Sequence, residues 1–298
     1  MKSRNLWANV GGSMVLIDSL RSFFKLIKFE HSLFALPFAY LGLFIAEDGF
    51  PDLRIFFWVT IAMVSLRTSA MCFNRLIDEK IDYENPRTKD RLKWIAAISK
   101  GKVFQIAIVC IAIFIFSAFQ LNTICFFLSP LPVFLIWIYP YLKRITWSSH
   151  FVLGIILGIA PMGGWLASRP EWSLEPVLLV LAVWMWVSGF DLIYALQDVE
   201  FDRAHELKSF PVRFGIDKTI WFARNLHIGT LLILVIFGIV SFFGIWYWIG
   251  MSTISVLIAR EHYLVKKFGL LKINEAFFNM NVFVSVIIFF ATMIEVMR

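Results

Sequence analysis

The chain has 298 residues, of which 59% are hydrophobic and 17% are aromatic, and it carries a formal net charge of +7. Soluble domains contain only about 45–50% apolar residues. This composition, with a mean hydropathy of +0.76, therefore excludes an ordinary soluble domain and predicts a polytopic membrane protein embedded in a lipid bilayer. The excess of basic residues indicates anionic lipid headgroups or a phosphorylated substrate as partners, and it does not imply nucleic acid.

Nine segments of the chain are apolar enough to cross a membrane, and each crossing takes about 20 mainly apolar residues. The sequence therefore predicts an all-α, polytopic fold with nine transmembrane helices in a single domain over residues 1–298. Residues 1–28 would form a short cytoplasmic segment before the first span. The predicted spans are Phe29–Ala46, Leu53–Phe73, Val103–Gln120, Leu121–Tyr141, Phe151–Ser168, Val177–Leu196, Ile220–Val240, Ile245–Ala259 and Ala276–Met297.

Lysine and arginine residues are distributed unevenly between the loops of this nine-span arrangement. With the N-terminus in the cytoplasm, only Arg54, Arg169 and Arg298 of the 28 basic residues lie on the opposite side, and Arg67 lies within a span. Such a bias follows the positive-inside rule. We therefore expect the N-terminus and the long basic loops to face the cytoplasm.

An acidic motif follows the apolar run of the second predicted span. Its members, Asn74, Asp78 and Asp82, are spaced four residues apart, which places them on one face of a helix about 6 Å apart along its axis. Oxygen ligands at this spacing suit Mg²⁺, which usually binds one or two carboxylates together with substrate phosphates. Taken alone, the motif fits a metal site and a solvated helix end with paired charges about equally well.

A second acidic motif ends the sixth predicted span. Asp191, Asp198 and Asp202 are separated by offsets of seven and four residues, and on a helix these offsets return to nearly the same face, bordered by Tyr194. Both motifs would lie at cytoplasmic span ends and be separated by four spans. This spacing suggests two similar halves that face each other, and it favours a metal site over surface decoration.

Basic side chains accompany both acidic motifs on the same predicted side. Arg87 and Arg91 follow the first motif, Lys208 follows the second, and Lys143 lies in the loop after the fourth span. The positive-inside bias alone could explain any one of them. Alternatively, cations next to Mg²⁺ ligands would bind a diphosphate, with arginine doing so in bidentate fashion.

Arg67 lies inside the second predicted span, seven residues before Asn74 and on the same helix face, about 10 Å deeper. An arginine within a membrane span is costly and usually faces a cavity. We therefore expect Arg67 to bind the carboxylate of a second substrate rather than to extend toward lipid headgroups. The histidines are scattered and show no metal-ligand pattern: His150, His205, His227 and His262.

The two acidic motifs together resemble the paired signatures of the UbiA superfamily of intramembrane aromatic prenyltransferases. The resemblance covers nearly the whole chain, and the segments His31–Phe38 and Gly189–Gly215 are most similar to the 4-hydroxybenzoate polyprenyltransferase branch. One departure is Leu92–Ala97, which replaces the proline-rich segment that usually follows the position of Arg91. The signatures are Asn74-x3-Asp78-x3-Asp82 and Asp191-x2-Tyr194-x3-Asp198-x3-Asp202.

The resemblance implies transfer of a polyprenyl group from a polyprenyl diphosphate to an aromatic acid, most simply 4-hydroxybenzoate in ubiquinone biosynthesis. It implies Mg²⁺ as cofactor, a multi-pass location in the bacterial inner membrane with a cytoplasmic active site, and no obligate protein partner. Arg67 and Tyr194 would bind the aromatic acid, and Asp191 would take up its phenolic or ring proton. Catalysis would use Asp78, Asp191 and Asp198, metal binding Asn74, Asp78, Asp82, Asp198 and Asp202, and diphosphate binding Arg87, Arg91, Lys143 and Lys208.

Two alternatives remain open on the sequence. The acceptor could be a dihydroxynaphthoate of menaquinone biosynthesis, because that is also an aromatic acid that Arg67 could bind. The protein could instead be a membrane cation or solute transporter, since acids within the membrane also mark ion paths. Transporter sites usually lie near the bilayer midplane, whereas these carboxylates lie at span ends beside basic loops, which favours diphosphate chemistry.

Overall fold

The structure is a computed structural model that describes residues 21–28, 32–269 and 273–298. Most of the predicted N-terminal segment 1–28 lies outside these ranges, as does His31. Within the described ranges the secondary structure is helical and contains no strand, as the all-α prediction expects.

Residues 21–27 form a helical segment, and the helices that follow are numbered from the next one. A short 3-10 turn, Leu196–Asp198, separates the ninth helix from the tenth. The helices are α1 (Ser32–Glu47), α2 (Leu53–Ile77), α3 (Glu79–Glu84), α4 (Arg91–Ile98), α5 (Lys100–Leu121), α6 (Thr123–Leu128), α7 (Pro130–Ile145), α8 (Ser149–Ser168), α9 (Leu174–Ala195), α10 (Val199–Ala204), α11 (Phe210–Phe214), α12 (Ile216–Val240), α13 (Ile245–Phe268) and α14 (Ile273–Val296).

Six helical segments among the described residues are long and apolar enough to cross a membrane: α2, α5, α6 with α7, α8, α9 with α10, and α12. Two shorter apolar stretches, Leu36–Glu47 and Asn281–Val296, belong to α1 and α14. Helix α13 carries Arg260, Glu261 and two lysines in its second half. Each of the nine predicted spans overlaps in sequence with at least one helix of the described residues. The number of nine membrane crossings remains a prediction.

Neither acidic motif lies on one continuous helix, contrary to the sequence expectation. Helix α2 ends at Ile77, and Asp78 lies between α2 and α3. The amide of Asp78 still donates to the carbonyl of Asn74 at 3.0 Å, and that of Asp82 donates to the carbonyl of Asp78 at 2.8 Å. The chain therefore keeps a nearly helical path through the break, and the first motif keeps one face.

The second motif contains a corresponding break. Helix α9 ends at Ala195, the 3-10 turn carries Asp198, and the short helix α10 carries Asp202. Each motif thus consists of a long apolar helix, an acidic residue at the break, and a six-residue helix with the last acid. This correspondence supports the expectation of two similar halves.

Close contacts between helices hold α8 against its neighbours. A Cβ at Gly42 of α1 would overlap the backbone carbonyl of Pro161 in α8, and a Cβ at Gly164 would overlap that of Ala39. On its other side α8 packs against α9, whose Trp186 is buried in the main hydrophobic cluster. Small residues allow such close backbone approach between membrane helices. Here they hold α8 against α1, and α8 in turn packs against α9, which carries Asp191 of the second motif.

The segment that departs from the family pattern forms helix α4. Its Ile95 is 3% exposed and packs in one cluster with Leu26, Ile27 and Cys72. Burial of such side chains stabilises the contact through the hydrophobic effect. Helix α4 therefore holds the end of the N-terminal helical segment, including Lys28, beside the loop that follows the first acidic motif.

Candidate active site

Both acidic motifs line one cavity of about 550 Å³. The cavity lies between α2, α7, α8 and α9, and residues of the two polar loops that follow the motifs also line it. Of the site residues predicted from the sequence, only Lys208 is absent from its lining. The others are Arg67, Asn74, Asp78, Asp82, Arg87, Arg91, Lys143, Asp191, Tyr194, Asp198 and Asp202.

Arg87 joins the loop after the first motif to the second motif. Its Nε donates to Oδ1 of Asp198 at 2.9 Å, and its Nη2 forms an ion pair with Oδ2 of the same carboxylate. Its Nη1 donates to the hydroxyl of Tyr194 at 2.9 Å. Asn85 adds a further hydrogen bond to Oδ1 of Asp198 at 3.0 Å. The two motifs therefore belong to a single site.

Asp78 is 4% exposed and is surrounded by donors. Lys143 lies 2.6 Å from its Oδ2, and Arg144 lies 3.2 Å from its Oδ1. Asn74 donates to Oδ2 at 3.2 Å. Arg144 also donates to the carbonyl of Ile77 at 3.0 Å, so helix α7 binds the C-terminal end of α2 and brings Lys143 to the first motif.

Asp82 has a similar environment on the opposite side of the first motif. It is 4% exposed, and Arg91 lies 3.0 Å from its Oδ1. Arg75 lies 3.7 Å from its Oδ2 and also donates to Asn74 Oδ1 at 3.1 Å. Burying a carboxylate is costly unless it is paired, and here each buried acid of the first motif is paired with cations.

The described residues contain no group of three Asp, Glu, His or Cys side chains close enough to hold a metal ion. The first motif nevertheless offers oxygen atoms that could bind a hard divalent cation. Oδ1 of Asp78 and Oδ2 of Asp82 are buried without a hydrogen-bond partner, although a guanidinium lies within ion-pair distance of each. Carboxylate and amide oxygens with unused acceptor capacity are the ligands that Mg²⁺ takes. Asp78 and Asp82 of the first motif therefore retain oxygens of the kind that suits this ion.

Arg67 lines the deeper part of the cavity, as the sequence predicts. Its Nε is buried without a hydrogen-bond partner, so this guanidinium retains a donor for a ligand. Apolar side chains also line the cavity. The lining apolar residues include Ala70, Met71, Ile136, Leu153, Leu157 and Phe190.

Asp191 contacts a residue that the sequence left without a role. Its Oδ2 lies 2.6 Å from Nδ1 of His150, and both side chains line the cavity. His150 is 7% exposed, and its Nε2 is buried without a hydrogen-bond partner. No spacing signal in the sequence points to this pair, because the two residues belong to different helices, α8 and α9.

Lys208 and Tyr194 make contacts that the sequence did not predict. The side chain of Lys208 is exposed, and its backbone N–H donates to the carbonyl of Lys143 at 2.7 Å. The Tyr194 hydroxyl accepts from Arg87, and the guanidinium also lies 5.1 Å from the centre of its ring. Tyr194 therefore holds Arg87. Lys143 belongs to the last turn of helix α7 rather than to a loop as predicted, and the backbone of Lys208 supports that turn.

Further polar residues of the cavity were not predicted, among them Asn85, Arg75 and Lys28. Asn85 lies two residues before Arg87, so its position was an available signal, whereas Arg75 and Lys28 had none. Burial, and then the nearby guanidinium groups of Arg91 and Arg75, lower the pKa of Lys28 to about 8. This crowding of cations at one end of the cavity favours an anionic ligand.

A model of the UbiA prenyltransferase family matches residues 35–284, which is most of the chain. The chain therefore belongs to the UbiA prenyltransferase family. This assignment makes it a prenyltransferase and replaces the transporter alternative.

Curated relatives of this UbiA-family protein extend over nearly its full length. A 4-hydroxybenzoate octaprenyltransferase from Francisella tularensis subsp. novicida (strain U112) is 27% identical over 281 residues, covering 93% of this chain and 98% of the relative. Another protein of that name, from Pseudoalteromonas translucida (strain TAC 125), is 28% identical over 241 residues, covering 80% of this chain and 82% of the relative.

Solved structures of UbiA homologues share the fold. The apo structure of a homologue from Aeropyrum pernix K1 has a TM-score of 0.81 at 31% identity, covering 89% of this chain and 98% of that one. A homologue from Archaeoglobus fulgidus bound to GPP and Mg²⁺ has a TM-score of 0.70 at 17% identity, covering 91% of this chain and 99% of that one. Because the sequence identity to the Archaeoglobus homologue is low, that similarity shows a shared fold and nothing more.

Proposed function

We propose that this UbiA-family protein transfers a polyprenyl group from a polyprenyl diphosphate to the ring of an aromatic acid, with 4-hydroxybenzoate as the first candidate acceptor. The observation that carries the proposal is the single cavity in which Arg87 links both acidic motifs, with Arg67 deeper on the same wall. The names of the curated relatives support the acceptor, and the GPP and Mg²⁺ of the Archaeoglobus homologue support the donor and the metal.

The outer end of the cavity would bind the diphosphate. Bound Mg²⁺ would supply positive charge to the leaving diphosphate. Arg87, Arg91 and Lys143 would add charge-assisted hydrogen bonds from three different elements. The exposed side chain of Lys208 is left out of this set. The metal would be held by Asp78, Asp82, Asp198 and Asp202, with Asn74 as a further oxygen ligand.

Binding of both ligands would exchange partners within the site. Lys143, Arg87 and Arg91 each contact an acid that is proposed to bind metal. A diphosphate offers these cations new acceptors, while Mg²⁺ replaces them at the carboxylates. The exchange therefore leaves few buried charges unpaired, which limits its cost.

The inner end of the cavity would hold the acceptor and the reacting carbons. Ionisation of the allylic C–O bond creates a carbocation, and the apolar wall shields it from water. The Nε of Arg67 is buried without a partner, and it would bind the carboxylate of the aromatic acid. This fixes the ring with its hydroxyl directed away from Arg67 and the carbon next to that hydroxyl toward the prenyl group.

The location of the enzyme follows from the charge bias of its loops. We propose an active site at the cytoplasmic face of a bacterial inner membrane, because the basic loops that line the cavity would face the cytoplasm under the positive-inside rule. The prenyl tail would then lie among membrane helices while the diphosphate stays at the polar end.

The proposal is tested by product identification. Purified protein in detergent or lipid is incubated with Mg²⁺, geranyl diphosphate, and either 4-hydroxybenzoate, 1,4-dihydroxy-2-naphthoate or benzoate. Mass spectrometry should detect geranylated 4-hydroxybenzoate and no benzoate product, because benzoate lacks the activating hydroxyl. A product with the naphthoate alone would instead support the menaquinone alternative. Absence of product with both hydroxylated acids, across several prenyl lengths, would contradict the proposal.

A further inference from the structure

The contact between His150 and Asp191 determines the proton positions on the imidazole. A carboxylate can only accept a hydrogen bond, so Nδ1 of His150 carries the proton across the 2.6 Å contact with Oδ2. In the neutral ring, Nε2 then carries a lone pair and no proton. This nitrogen is buried without a partner on a residue that lines the cavity. The structure therefore provides an unpartnered ring nitrogen on a residue of the cavity wall.

The packing of α8 against α9 holds this pair in place. Gly154 lies one turn after His150, and Ser188 lies about one turn before Asp191. A Cβ at Gly154 would overlap Oγ of Ser188 and lie 2.7 Å from the carbonyl oxygen of Trp184. Glycine thus allows the two helices to approach closely at this level. The pair is held by two packed helices, and such support preorganises a catalytic group.

We propose that His150 Nε2 is the general base that accepts the phenolic proton of the acceptor, and that Asp191 orients its imidazole and stabilises the imidazolium. This role rests on the proposed function and changes the one predicted for Asp191. A base held by a carboxylate through its other nitrogen is the arrangement that makes histidine effective in other enzymes. Here Nε2 has no partner and belongs to a side chain that lines the cavity, whereas Oδ2 of Asp191 is already occupied by Nδ1.

The proton and electron transfers balance as follows. The phenolic O–H bond breaks, its proton moves to Nε2, and the resulting phenoxide pushes electrons to the ring carbon beside it. That carbon forms a C–C bond with the prenyl cation. The cation arises when the allylic C–O bond breaks and its electron pair leaves with the diphosphate. The ring carbon then loses its hydrogen as a proton to the departing diphosphate or water, and the imidazolium returns its proton to the oxygen. The net products are the prenylated phenol, diphosphate and one proton.

The test compares acceptors whose phenols differ in acidity. Wild type and His150→Gln are assayed with geranyl diphosphate and either 4-hydroxybenzoate or 3-fluoro-4-hydroxybenzoate. General bases contribute about 10²–10⁴-fold, so kcat with 4-hydroxybenzoate should fall at least about 100-fold. The loss should be several-fold smaller with the more acidic fluorinated phenol, which ionises with less help. The KM for geranyl diphosphate should stay within about threefold of wild type.

A second variant separates catalysis from folding. Asp191→Asn would donate to Nδ1 and force the proton onto Nε2, so it should lose about as much kcat as His150→Gln. The double variant should lose little more, because residues that act as one unit are not additive. Added imidazole should restore part of the activity of His150→Ala. His205→Gln, at an exposed histidine outside the cavity lining, is the matched control.

The outcomes distinguish this proposal from the function on which it rests. Equal kcat losses for both phenols, or additive losses in the double variant, would show that His150 is not the base. A wild type that prenylates neither phenol would overturn the proposed function and this role with it. Thermal unfolding of each variant identifies any that lose activity by unfolding, and imidazole rescue of His150→Ala then decides the question.

Discussion

Arg87 and Asp198 form a two-point contact across 111 residues of sequence. The arginine lies in the loop after the first acidic motif, and the aspartate lies at the helix break of the second. Nε donates to Oδ1 at 2.9 Å while Nη2 pairs with Oδ2, the fork geometry that arginine uses for carboxylates and phosphates alike. The same guanidinium is therefore suited to bind either Asp198 or a substrate diphosphate.

Removal of divalent metal should abolish turnover. The carboxylates of both motifs are proposed to hold Mg²⁺, so excess EDTA should stop product formation and added Mg²⁺ should restore it. Asp78→Ala and Asp198→Ala should each reduce kcat at least about 100-fold at saturating Mg²⁺. Full turnover in excess chelator, or wild-type kcat in either variant, would contradict the metal assignment.

Arg87→Ala should weaken binding of the prenyl diphosphate. Hydrogen bonds to charged groups contribute about 1.5–3 kcal/mol, so KM for geranyl diphosphate should rise about 10- to 150-fold. Arg87→Lys should recover only part of this, since an ammonium lacks the fork geometry. Arg203→Ala is the control, because Arg203 is exposed and outside the cavity lining. A similar KM increase in both alanine variants would argue against a specific role.

Lys28 should make diphosphate affinity depend on pH. Its pKa is lowered to about 8, first by burial and then by nearby guanidinium groups, so the ammonium is charged below pH 8 and loses its proton as the pH rises through that value. The KM for geranyl diphosphate should therefore increase between about pH 7 and 9. Lys28→Arg should remove most of this increase, since arginine stays charged. The check is a KM titration at each pH, and an identical profile for both proteins would exclude Lys28.

Arg67→Ala should affect the aromatic acid selectively. Arg67 lies about two turns deeper than the first acidic motif, so it should contact the acceptor and leave the diphosphate unaffected. The KM for 4-hydroxybenzoate should rise at least about tenfold, with little change for geranyl diphosphate, and Arg67→Lys should recover part of the loss. Separate titrations of the two substrates measure this. Equal losses for both substrates would remove Arg67 from the acceptor site.

The two polar loops that line the cavity should both face the cytoplasm. Reporter fusions after Lys89 and after Lys208 should therefore read cytoplasmic, and fusions at Asp48 and Arg169 should read external. Enzymatic reporters with opposite compartment preferences provide the measurement. Opposite readings for Lys89 and Lys208 could not be reconciled with one shared site.

The sequence by itself determined the membrane class, the paired acidic motifs and the position of Arg67. These features depend on local composition and on residue spacing along a helix. Composition and spacing are the same whichever way the helices pack. The predicted face of Asn74, Asp78 and Asp82 persists even though the helix breaks at Asp78, because the backbone hydrogen bonds across the break are nearly helical. Eleven of the twelve predicted site residues line the cavity.

Only the tertiary structure decided which of these side chains meet. The pairing of Arg87 with Asp198, the contact of His150 with Asp191 and the approach of Lys28 all join elements that are distant in sequence. Such contacts depend on how closely helices pack, as Gly154 allows for α8 and α9, and hydrophobic periodicity does not encode that distance. Lys208 shows the converse, since a basic residue next to a motif can still direct its side chain to solvent.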